Sequence, residues 1–514
     1  MKESETNRSG NLVYHNPVIK GFHPDPSVCR AGEDYYLVVS SFEYFPGIPI
    51  YHSRDLVNWK QIGNCVTNAE QFPLDKVKDS GGIWAPTIRY YEGRFYVTAT
   101  LEGFGNFIIS SDHPAGKWSD PVWVPVGGID PSLFFENGRA YYCTNDRLNP
   151  DEEEITLEEI DVCTGELLGG QKTLWNGTGG GFMEAPHIYH VGEWYYLMTA
   201  EGGTFFTHMI TLARSKDIWG PYESCPYNPI LTNRHDTRKE VMCTGHGDLL
   251  QDHNGNWWIF HLGIRLSRRT MTHLGRETFL TPVEWRDGWF LAGNDRKASL
   301  VCEGPLWAAQ ERQAADCWQA DFANPQWEPE FRFLRTPNRD SYQRENGKLY
   351  LYPSKISLED EKNASFAGVC QPDFDCEVET EFVFAPKKEG DEAGLAVLLT
   401  SEFQYRFGKK KAADGNVIFV EKVAEDMRQT ACEIPVGEGG VKLLIRADKE
   451  KYTFFYAVGE EELQEVCSAS TRFLACEVSG RCFTGTMTGL YASCKEETDA
   501  VMEIENFRTE VTKI

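Results

Sequence analysis

Basic side chains are scarce in this chain: 51 lysines and arginines stand against 77 aspartates and glutamates, a formal net charge of −26 over 514 residues. Nucleic acid and anionic membrane both need a basic face, so neither is an expected partner. Long apolar runs are missing too. No stretch approaches the roughly 18 apolar residues of a membrane helix, and the opening "MKESETNRSGNLVYHNP" holds no apolar segment of the signal-peptide kind. The 15 cysteines are odd in number and scattered singly, without a C-x-x-C pair. That pattern suits a reducing compartment, and the expected location is cytoplasmic.

Several chemical signatures are absent as well. There is no D-x-D-x-D-G spacing for a dedicated calcium loop, and no glycine-rich loop ending in Lys-Ser/Thr for phosphate. There is no G-x-S-x-G elbow, which argues against a serine hydrolase of that type. Helical periodicity is hard to find in the first 300 residues. What is present is apolar and aromatic material, 41% and 13% of the chain, enough for a large buried core.

A glycine turn followed by an aromatic pair recurs five times, as "AGEDYYLVVSS", "YEGRFYVTAT", "ENGRAYYCTN", "VGEWYYLMTA" and "DHNGNWWIFH". Each reads as a hairpin entering a strand. The intervals of about 46 to 62 residues match β-propeller blades, so five blades around a central channel are expected. Ten or eleven residues upstream of Tyr35, Phe95, Tyr141, Tyr195 and Trp257 lie Asp25, Trp84, Asp130, Glu184 and His246. A repeated scaffold position should be apolar or a turn former. Here it holds three acids, a tryptophan and a histidine, on strands expected to face the channel. Beyond residue 316 the pattern changes to strict alternation, as in "FDCEVETEFVFAP" and "VKLLIRADKEKYTFFYAV". This predicts a β-sandwich over 316–514 behind a propeller over 1–310, with the boundary between 300 and 316.

Three acids facing one channel, with no metal, phosphate or serine signature, suit acid–base work on a neutral polyol. Glycoside hydrolysis needs one protonated carboxyl for the leaving oxygen and one ionised carboxylate. A third acid nearby keeps the donor's proton on by like-charge repulsion. Trp84 offers an apolar face to a sugar ring. The chemistry itself calls for no cofactor. The run "DEEE" at 151–154 reads as a solvated loop.

Across nearly its whole length the sequence resembles glycoside hydrolase family 43, the β-xylosidases and α-L-arabinofuranosidases. The segments that carry the likeness are "NPVIKGFHPDPSVCR", "SSFEYFPGIPIYHSRDLVNWKQIG", "SGGIWAPTIRY", "GIDPSLFF", "GHGDLL", "LGRETFL" and "FTGTMTGLYA". The resemblance implies a five-bladed propeller with an appended concanavalin-like β-sandwich, and an inverting, exo-acting hydrolase. It implies Asp25 as general base, Glu184 as general acid and Asp130 as the residue that orients the donor and holds up its pKa. Phe42 and Trp84 would wall the pocket for the terminal sugar. Thr204, His246 and Arg276 would bind hydroxyls or tune the acids, and Phe483 would close the pocket from the sandwich. The implied substrates are short xylo- or arabinoxylo-oligosaccharides, with xylose and arabinofuranose both open as the released sugar. As in some relatives, a calcium ion in the channel is implied, reached by His246 through water, and a homo-oligomer is implied as well. Around the acid, "FMEAPH" keeps Glu184, Pro186 and His187, whereas this branch often reads Trp-Pro-Glu-Gly-Pro-His. An alternative reading is a non-catalytic sugar-binding propeller. A fructan-cleaving relative would show an Asn-Asp-Pro-Asn turn, where this chain has His-Pro-Asp-Pro-Ser.

Overall fold

The computed structural model describes residues 11–512 apart from 147, 149–151, 236–240, 269, 294, 308–316 and 481. Five four-stranded antiparallel sheets follow one another along the chain. Their innermost strands are Ser27–Ala31, Ile83–Tyr91, Ser132–Glu136, Glu184–Val191 and Val241–Gln251, here blades I to V. Each innermost strand neighbours the next, and that of blade V returns to that of blade I, closing the ring. Local turn chemistry builds the hairpins. Asn137 and Gly138 both have positive φ, 51° and 76°, the combination that matches the twist of a two-residue hairpin.

Alternation along the strands sends side chains to both neighbouring blades. Tyr141 and Cys143 pack towards blade IV, whereas Ala140 and Tyr142 pack towards blade II. In this way one buried apolar cluster fills each of the five seams. The N-terminal strand Leu12–His15 pairs with Val301–Gly304 at the end of the propeller. The expected domain boundary falls largely at 308–316, outside the described residues.

From 317 onward the chain forms an eight-stranded and a six-stranded antiparallel sheet around one apolar core. In the six-stranded sheet Leu395 and Val397 enter that core, and the alternate residues Ala396 and Leu398 face the propeller. There they meet Phe22, Phe42 and Tyr44 of blade I in a shared cluster. The interface also has a polar clamp. Arg335, 1% exposed, donates to the Val77 carbonyl at 2.8 Å and to Asp79 at 2.7 Å, and Asp79 accepts from both the amide and the hydroxyl of Ser401. The second domain is therefore fixed against the mouth of the propeller. Among the described residues no helix is long and apolar enough to cross a membrane.

Candidate active site

Each innermost strand is preceded or interrupted by a left-handed residue at an equivalent position, Asp25, Ala85, Asp130, Ala185 and His246, with φ from 39° to 56°, and that of blade V carries a second at Cys243, φ 55°. Such backbone costs roughly 1–3 kcal/mol at each non-glycine residue and persists only where its surroundings hold it. Two residues further on, Ser27, Thr87, Ser132, His187 and Asp248 pair in register with the second strand of each blade. The sequence spacing put Trp84 and Glu184 in phase with Asp25, Asp130 and His246. The structure corrects this by one residue, because Ala85 and Ala185 occupy the kink. The pairing shifts register between Trp84 and Thr87 and between Glu184 and His187, and spacing alone cannot show such a bulge. Asp25, Asp130 and His246 thus hold the kink itself, and Trp84 and Glu184 stand just above it.

Asp25 is 4% exposed and fully engaged. Its Oδ2 accepts from the Ser40 hydroxyl at 2.6 Å, and its Oδ1 accepts from Nη1 of Arg276 at 2.8 Å. The Ser40 oxygen in turn receives the Ala85 amide at 2.7 Å, tying the kink of blade II to the carboxylate of blade I. Burial pushes the Asp25 carboxyl upward, but Arg276, His246 and Ser40 together outweigh it, and the group is held below its ordinary value. Asp25 is therefore ionised at neutral pH.

Asp130 and Glu184 behave in the opposite way. Burial raises the Asp130 carboxyl well above its ordinary range, and the charges of Glu184 and Asp25 raise it further, against Arg276 and the Ala185 amide. Glu184 is raised to about 7, first by burial and then by the charge of Asp25, with Arg276 opposing. The charge of either carboxyl opposes ionisation of the other, and the pair titrates as a unit. His246 lies between the acids, its Nδ1 3.7 Å from Asp25 and 3.8 Å from Asp130. Burial lowers its pKa, so its imidazole is neutral.

Aromatic side chains wall the same space. The rings of Phe42 and Phe483 stack at 6.3 Å, and Trp84 meets Phe483 edge-on at 6.2 Å. Arg276 lies over both phenylalanines at 5.6 and 5.7 Å and donates to the Phe483 carbonyl at 3.1 Å. Its Nε is buried without a partner among the described residues. Ser80 organises the wall, accepting the Phe483 amide on its hydroxyl at 2.9 Å and the Trp84 indole on its carbonyl at 3.1 Å. One ionised carboxylate, one carboxyl pair holding a proton and three aromatic faces can take a proton from one group and give one to another beside an apolar-faced ring.

Thr204 lies in the turn after the second strand of blade IV, Trp194–Glu201, with its hydroxyl shielded and without a partner among the described residues. The "DEEE" run is not merely a solvated loop. Residue 151 lies outside the described residues, but Glu154 is buried and accepts from Thr173, and Glu153 accepts the amides of Phe182 and Met183 just before the acid.

The channel beneath the acids is filled by an ion pair. The guanidinium of Arg89 on blade II donates to Asp248 of blade V at 2.8 and 3.2 Å, to Nδ1 of His187 on blade IV at 2.8 Å and to Ser27 of blade I at 3.3 Å. Rooted in blade II, this guanidinium reaches the innermost strands of blades I, IV and V. Asp248 also accepts from Ser27, Tyr189 and the Val28 amide, so its oxygens are saturated. Calcium seeks six to eight oxygen ligands. Among the described residues no three His, Cys, Asp or Glu side chains converge to hold a metal. The donor set therefore does not fit a directly ligated calcium ion at this depth, and the positive Arg89 opposes one.

Sequence reasoning missed Ser40, Ser80 and the Arg89–Asp248 pair, along with His208. The His208 ring lies against Gly245, its Nδ1–H donates to the Cys243 carbonyl at 3.1 Å, and burial drives its pKa down to about 3. His187 and Asp248 are legible in the sequence two residues beyond the kinks, as polar residues in otherwise apolar strands.

Comparison with known proteins matches this architecture. The model described as glycosyl hydrolases family 43 matches residues 14–290, and that of the beta xylosidase C-terminal concanavalin A-like domain matches 319–510. The chain is 38% identical to a non-reducing end alpha-L-arabinofuranosidase of Bacteroides ovatus, covering 94% of this chain and 91% of that protein. It is 33% identical to a xylosidase/arabinosidase of Butyrivibrio fibrisolvens, covering 95% and 97%. A solved xylan beta-1,4-xylosidase from Bacillus halodurans superposes with a TM-score of 0.90 at 30% identity, covering 96% and 99%.

Proposed function

The chain belongs to glycosyl hydrolase family 43, and from that membership we propose that it is an inverting hydrolase removing terminal α-L-arabinofuranose or β-D-xylose from short hemicellulose-derived oligosaccharides. The terminal sugar occupies the pocket walled by Phe42, Trp84 and Phe483. Asp25 takes a proton from water as that water attacks the anomeric carbon. Glu184 gives its proton to the glycosidic oxygen as the bond to the leaving group breaks. Asp130, sharing a proton with Glu184, keeps that donor protonated near neutrality. Arg276 fixes Asp25. The observation that carries this reading is the split in one pocket between an acid held ionised and an acid held up to about 7. That split is the division of labour the reaction requires. No step needs a metal ion. All fifteen cysteines are free, which supports action inside a reducing cytosol on sugars already taken up.

Hydrolysis of nitrophenyl β-D-xyloside and α-L-arabinofuranoside by the wild type, Asp25→Ala and Glu184→Ala tests the reading. Each variant should lose about 10²–10⁴-fold in kcat/KM on the preferred pentoside. Near wild-type turnover by either variant would overturn it, and binding of pentosides without turnover by the wild type would favour a sugar-binding propeller.

A further inference from the structure

Two exposed rings at the top of blade IV lie outside the apolar clusters of that blade. Phe182 is 59% and Phe205 58% exposed, and neither belongs to the seams with blades III and V. Single exposed apolar residues are ordinary, but these two rings border the same backbone position and form one exposed apolar patch, the kind of surface that marks a binding site. Their positions relative to the acid are fixed by register. Phe182 precedes Glu184 by two residues, and Ala200, directly opposite Glu184, precedes Gly203 by three. The Gly203 backbone lies between the rings. A methyl group there would meet Cδ2 of Phe205 at 3.2 Å and Cγ and Cδ2 of Phe182 at 3.4 Å.

Both rings are presented by pinned backbone. Phe182 has a φ of 51°, an outlier for so bulky a residue. The Glu153 carboxylate holds it there, accepting the Phe182 amide at 2.9 Å and the Met183 amide at 3.2 Å. The Gly181 carbonyl accepts from Gly202 at 2.6 Å, joining the two turns. Phe205 sits in a tight turn, its amide donating to the Gly203 carbonyl at 2.7 Å and its carbonyl accepting from His208 at 3.0 Å. Strained backbone held by a dedicated carboxylate to display an apolar ring points to function.

The occupant follows from the acid. If Glu184 protonates the glycosidic oxygen, as proposed above, the terminal sugar lies on the side of Phe42, Trp84 and Phe483, and the leaving group extends past Glu184. Resting on that reading, we infer that Phe182 and Phe205 form the platform on which the first ring of the leaving group stacks. The aliphatic face of a sugar ring, or an aromatic aglycone, covers the exposed rings. The substrates selected are glycosides whose leaving group carries a ring. The altered flank of "FMEAPH", with phenylalanine ahead of the acid, is then part of leaving-group recognition.

The test compares substrates that differ only in the leaving group: xylobiose against β-D-xylosyl fluoride, and 4-nitrophenyl against methyl α-L-arabinofuranoside. Phe205→Ala should lower kcat/KM on the ring-bearing member of each pair about three- to tenfold, chiefly through KM. The fluoride, the methyl glycoside and inhibition by free pentose should not change. Phe182→Leu should behave alike, whereas Phe205→Trp should keep the wild-type value on both members of each pair. An unchanged xylobiose and nitrophenyl rate would overturn the platform, and so would an equal fall on both members of a pair. A wild type that hydrolysed neither pair would overturn the pentosidase reading itself, and the platform with it.

Discussion

The hydroxyl of Ser80, in the propeller, accepts the backbone amide of Phe483, in the sandwich, at 2.9 Å. The same serine holds the Trp84 indole through its carbonyl. Two walls of the pocket, from two domains, therefore hang on one residue. Ser80→Ala should loosen the contribution of the sandwich without touching the acids. One lost hydrogen bond of about 1 kcal/mol should raise KM several-fold and leave kcat within about twofold. Steady-state kinetics on the preferred pentoside check this, and a fall in kcat alone would separate Ser80 from substrate binding.

Arg276 should be felt in the acid limb of the pH profile. It is the chief group holding Asp25 below its ordinary value against burial. In Arg276→Ala the Asp25 carboxyl rises, so the base is protonated at higher pH and the acid limb of kcat/KM moves up. At neutral pH kcat/KM should drop about ten- to a hundredfold, the scale of a lost charged hydrogen bond. Lysine should not restore it, since one ammonium cannot reach both Asp25 and the Phe483 carbonyl in the same geometry.

Under the proposed mechanism the alkaline limb of the profile belongs to Glu184. Glu184 is raised to about 7 and must be protonated to act, so kcat/KM should fall as pH rises through about 7. Asp130→Asn takes away the carboxyl whose titration is coupled to that of Glu184, so that its charge, once it ionises, no longer opposes ionisation of Glu184. Its alkaline limb should then move to lower pH, beyond any loss in rate at the optimum. A limb that stayed in place would show that Asp130 does not set the donor's protonation.

Chelation should leave kcat/KM and the melting temperature unchanged, because the proposed chemistry is carried by carboxyls alone and the Arg89 guanidinium stands between Asp248 and His187 in the channel. Loss of activity with chelator, reversed by calcium, would refute this. The ion pair matters for stability instead. Arg89→Met leaves Asp248 buried and unpaired, and should cost about 3–5 kcal/mol in a urea titration at neutral pH. In the wild type Asp248 is held far below its ordinary value, so its contribution is present above the unfolded value and is lost as pH falls.

Much of the architecture could be read from the chain, because each blade is encoded locally by a turn and an aromatic strand. The seams needed only alternation, visible in pairs such as Tyr141 and Tyr142. Asp25, Asp130 and Glu184 stood out because acids are expensive in apolar strands. The one-residue offset of Trp84 and Glu184 was not legible, since a left-handed alanine looks like any other alanine. Ser40 and Ser80 carry no signal, as their importance comes from partners supplied by other blades or by the other domain. Arg89 and Asp248 meet across 159 positions, a pairing that no local pattern announces.

The division of labour between Asp25 and Glu184 is tested most directly by proton NMR of the first sugar released. With water activated by Asp25 on one face and Glu184 protonating the departing oxygen on the other, a β-D-xyloside should yield α-xylopyranose first, with the β-anomer appearing only by mutarotation. Release of β-xylopyranose first would mean that a carboxylate attacks the sugar itself, and would contradict the assignment of Asp25 as a base.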